Sequence, residues 1–176
     1  MIKYVVLIFF IIILIPIEFV PVKAVCILKS DKINGIVYLE ELSIDKTKIF
    51  GRISGLNKNS QHAFHIHESG DLSGNCKNLC SHYNPFNKKH GGPNDNERHV
   101  GDLGNLLTDE NGYCQFEIID NLVKLRGKYS VLGRSIVIHE GTDDLGLGGH
   151  NDSHVTGHAG ARIVCGIIGY SKTCKN

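Results

Sequence analysis

This chain has no tryptophan and one methionine, and only 7% of it is aromatic. Glycine, by contrast, is abundant at 20 residues. Short β-branched runs separated by glycine-rich loops are the pattern of an all-β protein. No apolar period of about 3.6 residues runs for a useful length, which excludes a helical bundle. No basic run exceeds a few residues, and the formal charge is only +1, so nothing calls for a nucleic-acid partner. His-Glu-x-x-His, the compact metal motif of a helix, is also missing. At 176 residues, less a leader, one domain is expected.

The one long apolar stretch lies at the N-terminus. Lys3 supplies a positive start, and Val5 to Ile15 is an apolar run of signal-peptide length, too short to span a membrane comfortably. Pro16 and Glu18 end it, and Val22-x-Ala24 offers small residues for cleavage. The expected organisation is a signal peptide over 1–24 and a folded domain over 25–176. This makes a secreted, extracellular protein with no membrane contact once the leader is gone. An uncleaved anchor is the alternative, because apolar residues resume at Ile17, Phe19 and Val20. The sequence leaves the cut itself open, since Val25 could already belong to the first strand.

Export permits disulfides. Cys26, Cys76, Cys80, Cys114, Cys165 and Cys174 allow many pairings, and arithmetic alone selects none. Cys26 and Cys114 fall on inward positions of strands. Cys80 and Cys174 are expected to be more exposed and are candidates for a bridge to each other. Asn151-Asp152-Ser153 is a glycosylation sequon.

Strands are expected over Val25–Leu28, Ile36–Leu39, Ile49–Ile53 and Gln61–Glu68. Leu103–Leu107 and Tyr113–Ile119 read as a hairpin about Asn111-Gly112. Ser135–His139 and Arg162–Tyr170 complete the set. Eight strands with two long loops, Ser69–Gly101 and Glu140–Gly160, suggest a Greek-key β-barrel or sandwich of immunoglobulin-like kind. Loops of that length in a compact domain are functional or disordered.

The chemistry centres on Phe64-His65-Ile66-His67. Alternate residues of a strand share a face, so both imidazoles can reach one point while Phe64 and Ile66 face the core. His82, His90 and His99 follow in the first long loop, Asp102 comes three residues after His99, and His139 ends a later strand. Imidazole suits copper and zinc, and an added carboxylate favours zinc. His90, His99 and Asp102 with one more histidine would make an N₃O site. His65, His67 and His139 with one more would make an N₄ site. His62 shares the parity of Phe64 and reads as a structural hydrogen-bonding residue. His150, His154 and His158 read as solvated, with adventitious metal binding as the alternative.

Several segments together resemble the copper/zinc superoxide dismutase family. They are Phe64-His65-Ile66-His67-Glu68, Lys89-His90-Gly91-Gly92-Pro93, and Arg98-His99-Val100-Gly101-Asp102-Leu103-Gly104-Asn105. Val137-Ile138-His139-Glu140, Asp143-Asp144-Leu145-Gly146 and Gly157-His158-Ala159-Gly160-Ala161-Arg162-x-x-Cys165-Gly166 complete them. The resemblance runs from Val25 to about Tyr170. It implies copper on His65, His67, His82 and His139, and zinc on His82, His90, His99 and Asp102, with His82 shared. It implies that Asp143 braces one ligand of each metal, that Cys76 and Cys165 form a disulfide, and that Arg162 anchors superoxide. Copper would cycle between Cu(II) and Cu(I), converting superoxide to dioxygen and hydrogen peroxide, with zinc structural. His82 would move a proton.

Lysines common near the family's channel mouth are replaced here by Gly141 and Val155, which predicts weaker steering. A homodimer is expected, although Ser69 stands where many relatives have an aromatic; Leu132, Ile167 and Tyr170 remain available. Copper delivery without catalysis, or a zinc-only interaction module, are the competing functions. The complete ligand set with Arg162 argues against both.

Overall fold

The computed structural model describes residues 19–171. Residues 1–18 of the leader expected over 1–24, and Cys174 with its candidate bridge to Cys80, lie outside the described residues. Ten short strands and one helical turn occur among those described. They are β1 (Lys23–Lys29), β2 (Asn34–Glu41), β3 (Thr47–Ser54), β4 (Gln61–His67), β5 (Ser73–Cys76), β6 (Asp102–Leu107), β7 (Cys114–Asp120), β8 (Ser135–His139), α1 (Ser153–Thr156), β9 (Arg162–Ile167) and β10 (Gly169–Tyr170).

Nine of the strands form two antiparallel sheets, ordered β10-β1-β2-β3-β7 and β6-β4-β8-β9. The all-β Greek-key expectation holds. Burial alternates along β1, where Ala24, Cys26 and Leu28 point inward, as a strand with one solvated face requires. Val37, Leu39, Ile49 and Ile53 continue that inner face, and Phe64, Ile66, Ile136, Ile138 and Val164 meet it from the other sheet. The final expected strand is split at Ile168, so β9 pairs with β8 and β10 with β1. One run of chain thereby joins the two sheets at a corner.

Two features differ from the sequence reading. Leu103–Leu107 and Tyr113–Ile119 do not pair with each other: β6 pairs with β4 and β7 with β3. The turn itself forms, with Asp109 Oδ1 accepting from the Asn111 and Tyr113 amides. Gly112, however, is seated on Leu56, whose amide donates to its carbonyl. The connection therefore steps between sheets, and turn chemistry alone does not reveal that. The second difference concerns β1, which starts at Lys23. Ala24 is fully buried and opposes Leu39 and Tyr170, so the expected domain start at Val25 falls inside a strand.

β4 and β8 are buried on both faces. Their outer faces carry the histidines and lie under the two long loops. The first loop is stitched to β4 through Ile66, whose amide donates to the Gly101 carbonyl and whose carbonyl accepts from Tyr83. A side chain at 101 would meet the Ile66 carbonyl oxygen at 2.1 Å, so only glycine allows this approach.

Candidate metal centre

β4 delivers His65 and His67, and β8 delivers His139. Register shifts occur beside two of these donors, between Ala63 and His65 and between Ile138 and His139. Such irregularities re-aim side chains. The first long loop delivers His82 as an extension of the sheet, with a bridge between His67 and His82. His90 and His99 follow on the same loop, and Asp102 opens β6. All seven donors are buried.

They fall into two groups that share His82. In His65, His67, His82 and His139 one nitrogen from each ring lies within 4.8 Å of the others, and the same holds for His82, His90, His99 and Asp102. His82 directs Nδ1 to Asp102 Oδ1 at 2.8 Å. Its Nε2 is buried and has no partner, like His65 Nδ1 and His90 Nδ1. His90 Nδ1 is only 2.9 Å from Asp102 Oδ1 but is not aimed for a hydrogen bond. Both atoms belong to the donor group of His82, His90, His99 and Asp102. Buried ring nitrogens without partners are costly, and a metal ion removes that cost.

The opposite ring nitrogens are held. His67 Nδ1 meets the Cys80 carbonyl at 3.0 Å, and His139 Nδ1 meets the Gly160 carbonyl at 3.1 Å. His65 Nε2 and His90 Nε2 take separate oxygens of Asp143 at 2.8 and 2.7 Å. Fixing one nitrogen as a donor leaves the other as the ligand. Because both Asp143 oxygens are used this way, the close cluster of His65, His90 and Asp143 is a brace and not a third ion site.

Electrostatics agree with this assignment. Burial, reinforced by His82, pushes His65 down to about 3. Burial with His82 takes His67 to about 2, and burial takes His139 to about 4. These rings are neutral at neutral pH, as ligation requires. Burial also disfavours charge on His90, but Asp102 and Asp143 outweigh it and raise that ring to about 9. Asp102 resists burial through three histidine contacts that hold it far below the usual carboxylate range. This half of the centre therefore demands positive charge.

Comparison with known proteins places this geometry. The family model described as copper/zinc superoxide dismutase matches residues 33–168. A superoxide dismutase [Cu-Zn] of Paramecium bursaria Chlorella virus 1 is 50% identical over 152 residues, spanning 86% of this chain and 80% of that protein. One from Candida albicans is 50% identical over 153 residues, spanning 86% and 99%. A crystal structure of the clock protein EA4 superposes with a TM-score of 0.82 at 42% identity, covering 88% of this chain and 99% of that one. The chain belongs to the copper/zinc superoxide dismutase family.

Its activity is superoxide dismutation, and its cofactors are copper and zinc. An all-nitrogen group and a nitrogen–oxygen group sharing one ring suit those two metals.

The remaining expected residues are also placed. Cys76 and Cys165 are bonded, with Cα atoms 5.8 Å apart. Arg162 opposes His139 in the β8–β9 register. Its guanidinium donates from Nη1 to the Cys76 carbonyl at 2.7 Å and from Nη2 to that of Cys80 at 2.5 Å. The disulfide loop thus holds both Arg162 and, through Cys80, His67. His62 is buried behind the centre, with Nδ1 on the His139 carbonyl at 2.8 Å. Cys26 and Cys114 are buried, and Cys80 is exposed with no disulfide partner among the described residues. Gly141 is half-buried and Val155 exposed. Ser69 is half-buried, and its carbonyl accepts from Ser135 Oγ.

Sequence reasoning gave no role to four supports. The carbonyls of Cys80 and Gly160 carry no residue-type signal. Gly157 has a φ of +66°, and a Cβ there would meet Asp143 Oδ1 at 2.0 Å. Arg98, buried before His99, donates to the His99 and Asp102 carbonyls and pairs with Asp120. Only its place in the Arg98-His99 motif hinted at this.

Proposed function

We propose that this superoxide dismutase is exported and works outside the cell. Copper is held by His65, His67, His82 and His139, and zinc by His82, His90, His99 and Asp102. The observation that carries the metal assignment is the position of His82: Nδ1 faces the carboxylate-containing group while Nε2 is buried without a partner. Export rests on the leader signals at Lys3, Val5–Ile15 and Val22-x-Ala24. A cut that spares Lys23 and Ala24 leaves β1 whole.

Copper, when bound, supplies the Cu(II)/Cu(I) couple that oxidises one superoxide to dioxygen and reduces the next to hydrogen peroxide. The chain does the rest. Arg162 has five N–H donors, and the carbonyls of Cys76, Lys77 and Cys80 engage three. The remaining two are available to a small anion. His82 Nε2 would give one proton to the reduced product, the second coming from water, while Nδ1 keeps its Asp102 contact. Asp143 keeps His65 and His90 in the tautomers that ligation needs. Without lysines at 141 and 155, steering is weak, so activity should respond little to ionic strength.

The active form is a homodimer joined through a face that includes Ile167 and Tyr170, both exposed, and half-buried Leu132. Sedimentation at micromolar concentration tests it, and a monomer would contradict it. The metal assignment is tested with His82→Gln after reconstitution with copper and zinc. Loss of turnover with weakened metal retention is expected; both metals kept and turnover unchanged would overturn it. Export is tested by expressing the full chain in a secreting host. Processed protein in the medium is expected, and cytosolic protein beginning at Met1 would contradict it.

A further inference from the structure

Outside the metal centre, the described residues hold three exposed histidines, His150, His154 and His158, all within one turn of the second long loop. Two of them meet. The rings of His150 and His158 are stacked, with centroids 3.7 Å apart and planes 12° from parallel. Left-handed backbone at Gly157 and His158, with φ of +66° and +51°, turns the chain back so that this contact closes around α1. Asp152 sits inside the turn, where its carbonyl accepts from the Val155 and Thr156 amides. Its carboxylate accepts from His158 Nδ1 at 2.8 Å.

We propose that His150 and His158 form a surface site for one additional divalent transition-metal ion of the imidazole-preferring kind, such as Ni(II), Cu(II) or Zn(II). The argument is chemical. A carboxylate on Nδ1 fixes the His158 tautomer and leaves Nε2 as the ligating atom, the usual support behind a metal-bound histidine. His158 Nε2 and both ring nitrogens of His150 have no hydrogen-bond partner among the described residues. The exposed His150 ring has a soft terminal torsion, so it can turn toward an ion shared with His158 Nε2 while His158 keeps its Asp152 bond. Imidazole binds these ions in preference to Mg(II) or Ca(II), which want oxygen. The site is separate from the buried centre and adds to its two metals.

A bound ion would also tie the two ends of the α1 turn together. The His154 carbonyl in that turn accepts from the His90 amide at 2.9 Å. The site is thus mechanically joined to a residue of the zinc-side group.

The test starts from protein loaded with copper and zinc and counted for both. Nickel chloride is titrated by calorimetry, with copper and zinc counted again afterwards. One added nickel per chain with both original metals retained is expected. The double variant H150Q/H158Q should lose that uptake, D152N should weaken it by about 10–100-fold, and H154Q should keep it. No saturable uptake, uptake only by displacement of copper or zinc, or equal uptake by H150Q/H158Q would overturn the proposal. Each variant's original metal content shows that the fold is intact, so a failure here leaves the buried centre's assignment untouched.

Discussion

His65 and His90, one from each donor group, are bound to opposite oxygens of a single carboxylate, that of Asp143, at 2.8 and 2.7 Å. The second long loop thus determines the ring orientation in both groups. Asp143 is itself held by Asn105, whose Oδ1 accepts from its amide and whose Nδ2 donates to its carbonyl.

Asp143→Asn leaves one acceptor oxygen where two are used. Metal retention against a chelator should fall by about 10–100-fold, with the fold preserved. Gly157→Ala should act similarly by pushing a methyl into the Asp143–His90 contact. Metal counts after dialysis check both variants; retention equal to wild type would show that the brace is dispensable.

Reducing the Cys76–Cys165 bond, or replacing both cysteines by serine, frees a loop with a sequence separation of 89. The chain-entropy model gives a loss of about 4–5 kcal/mol. Activity should fall as well, because the same loop supplies the carbonyls that hold Arg162 and His67. Denaturant unfolding and an assay of superoxide-driven dye reduction measure the two effects separately.

Arg98 and Asp120 form an ion pair with both side chains only 2% exposed. Removing one partner strands the other charge. Asp120→Asn or Arg98→Met should therefore cost about 3–5 kcal/mol. Arg98→Met should also weaken zinc retention, since Arg98 bonds the His99 and Asp102 carbonyls. Thermal unfolding of the metal-free and loaded proteins tests this; an unchanged midpoint in both would contradict it.

Burial pushes the Cys26 thiol up from 9.0 to about 12, with the Ile136 backbone contact opposing. The sign follows directly. Between those values the unfolded chain gives up this proton and the folded chain keeps it, so stability falls as pH rises from about 9 toward 12. Native alkylation at pH 8 should spare buried Cys26 until the protein unfolds. Cys26→Ala should flatten the alkaline loss of stability.

The donor clusters were legible because strand parity and family-like motifs are both local properties. His65 and His67 sit two residues apart on β4, and the Arg98-to-Asn105 motif keeps its own spacing. Long-range relations were less legible. The separation of β6 from β7 depends on Gly112 docking onto Leu56, a contact 56 residues away in sequence. The carbonyls of Cys80 and Gly160, which hold His67 and His139, are backbone atoms that any residue could supply. The partner of Arg98 lies 22 residues on, with no pattern linking the two. The strand start at Lys23 was hidden because the leader signal and β1 share the apolar stretch around Val22 and Ala24.

The most direct test is metal analysis of the purified, chelator-washed protein together with its dismutation rate. One copper and one zinc per chain are predicted, with activity lost when copper alone is withdrawn. Zinc bound without affinity for copper, or no dismutation with both metals in place, would contradict the account.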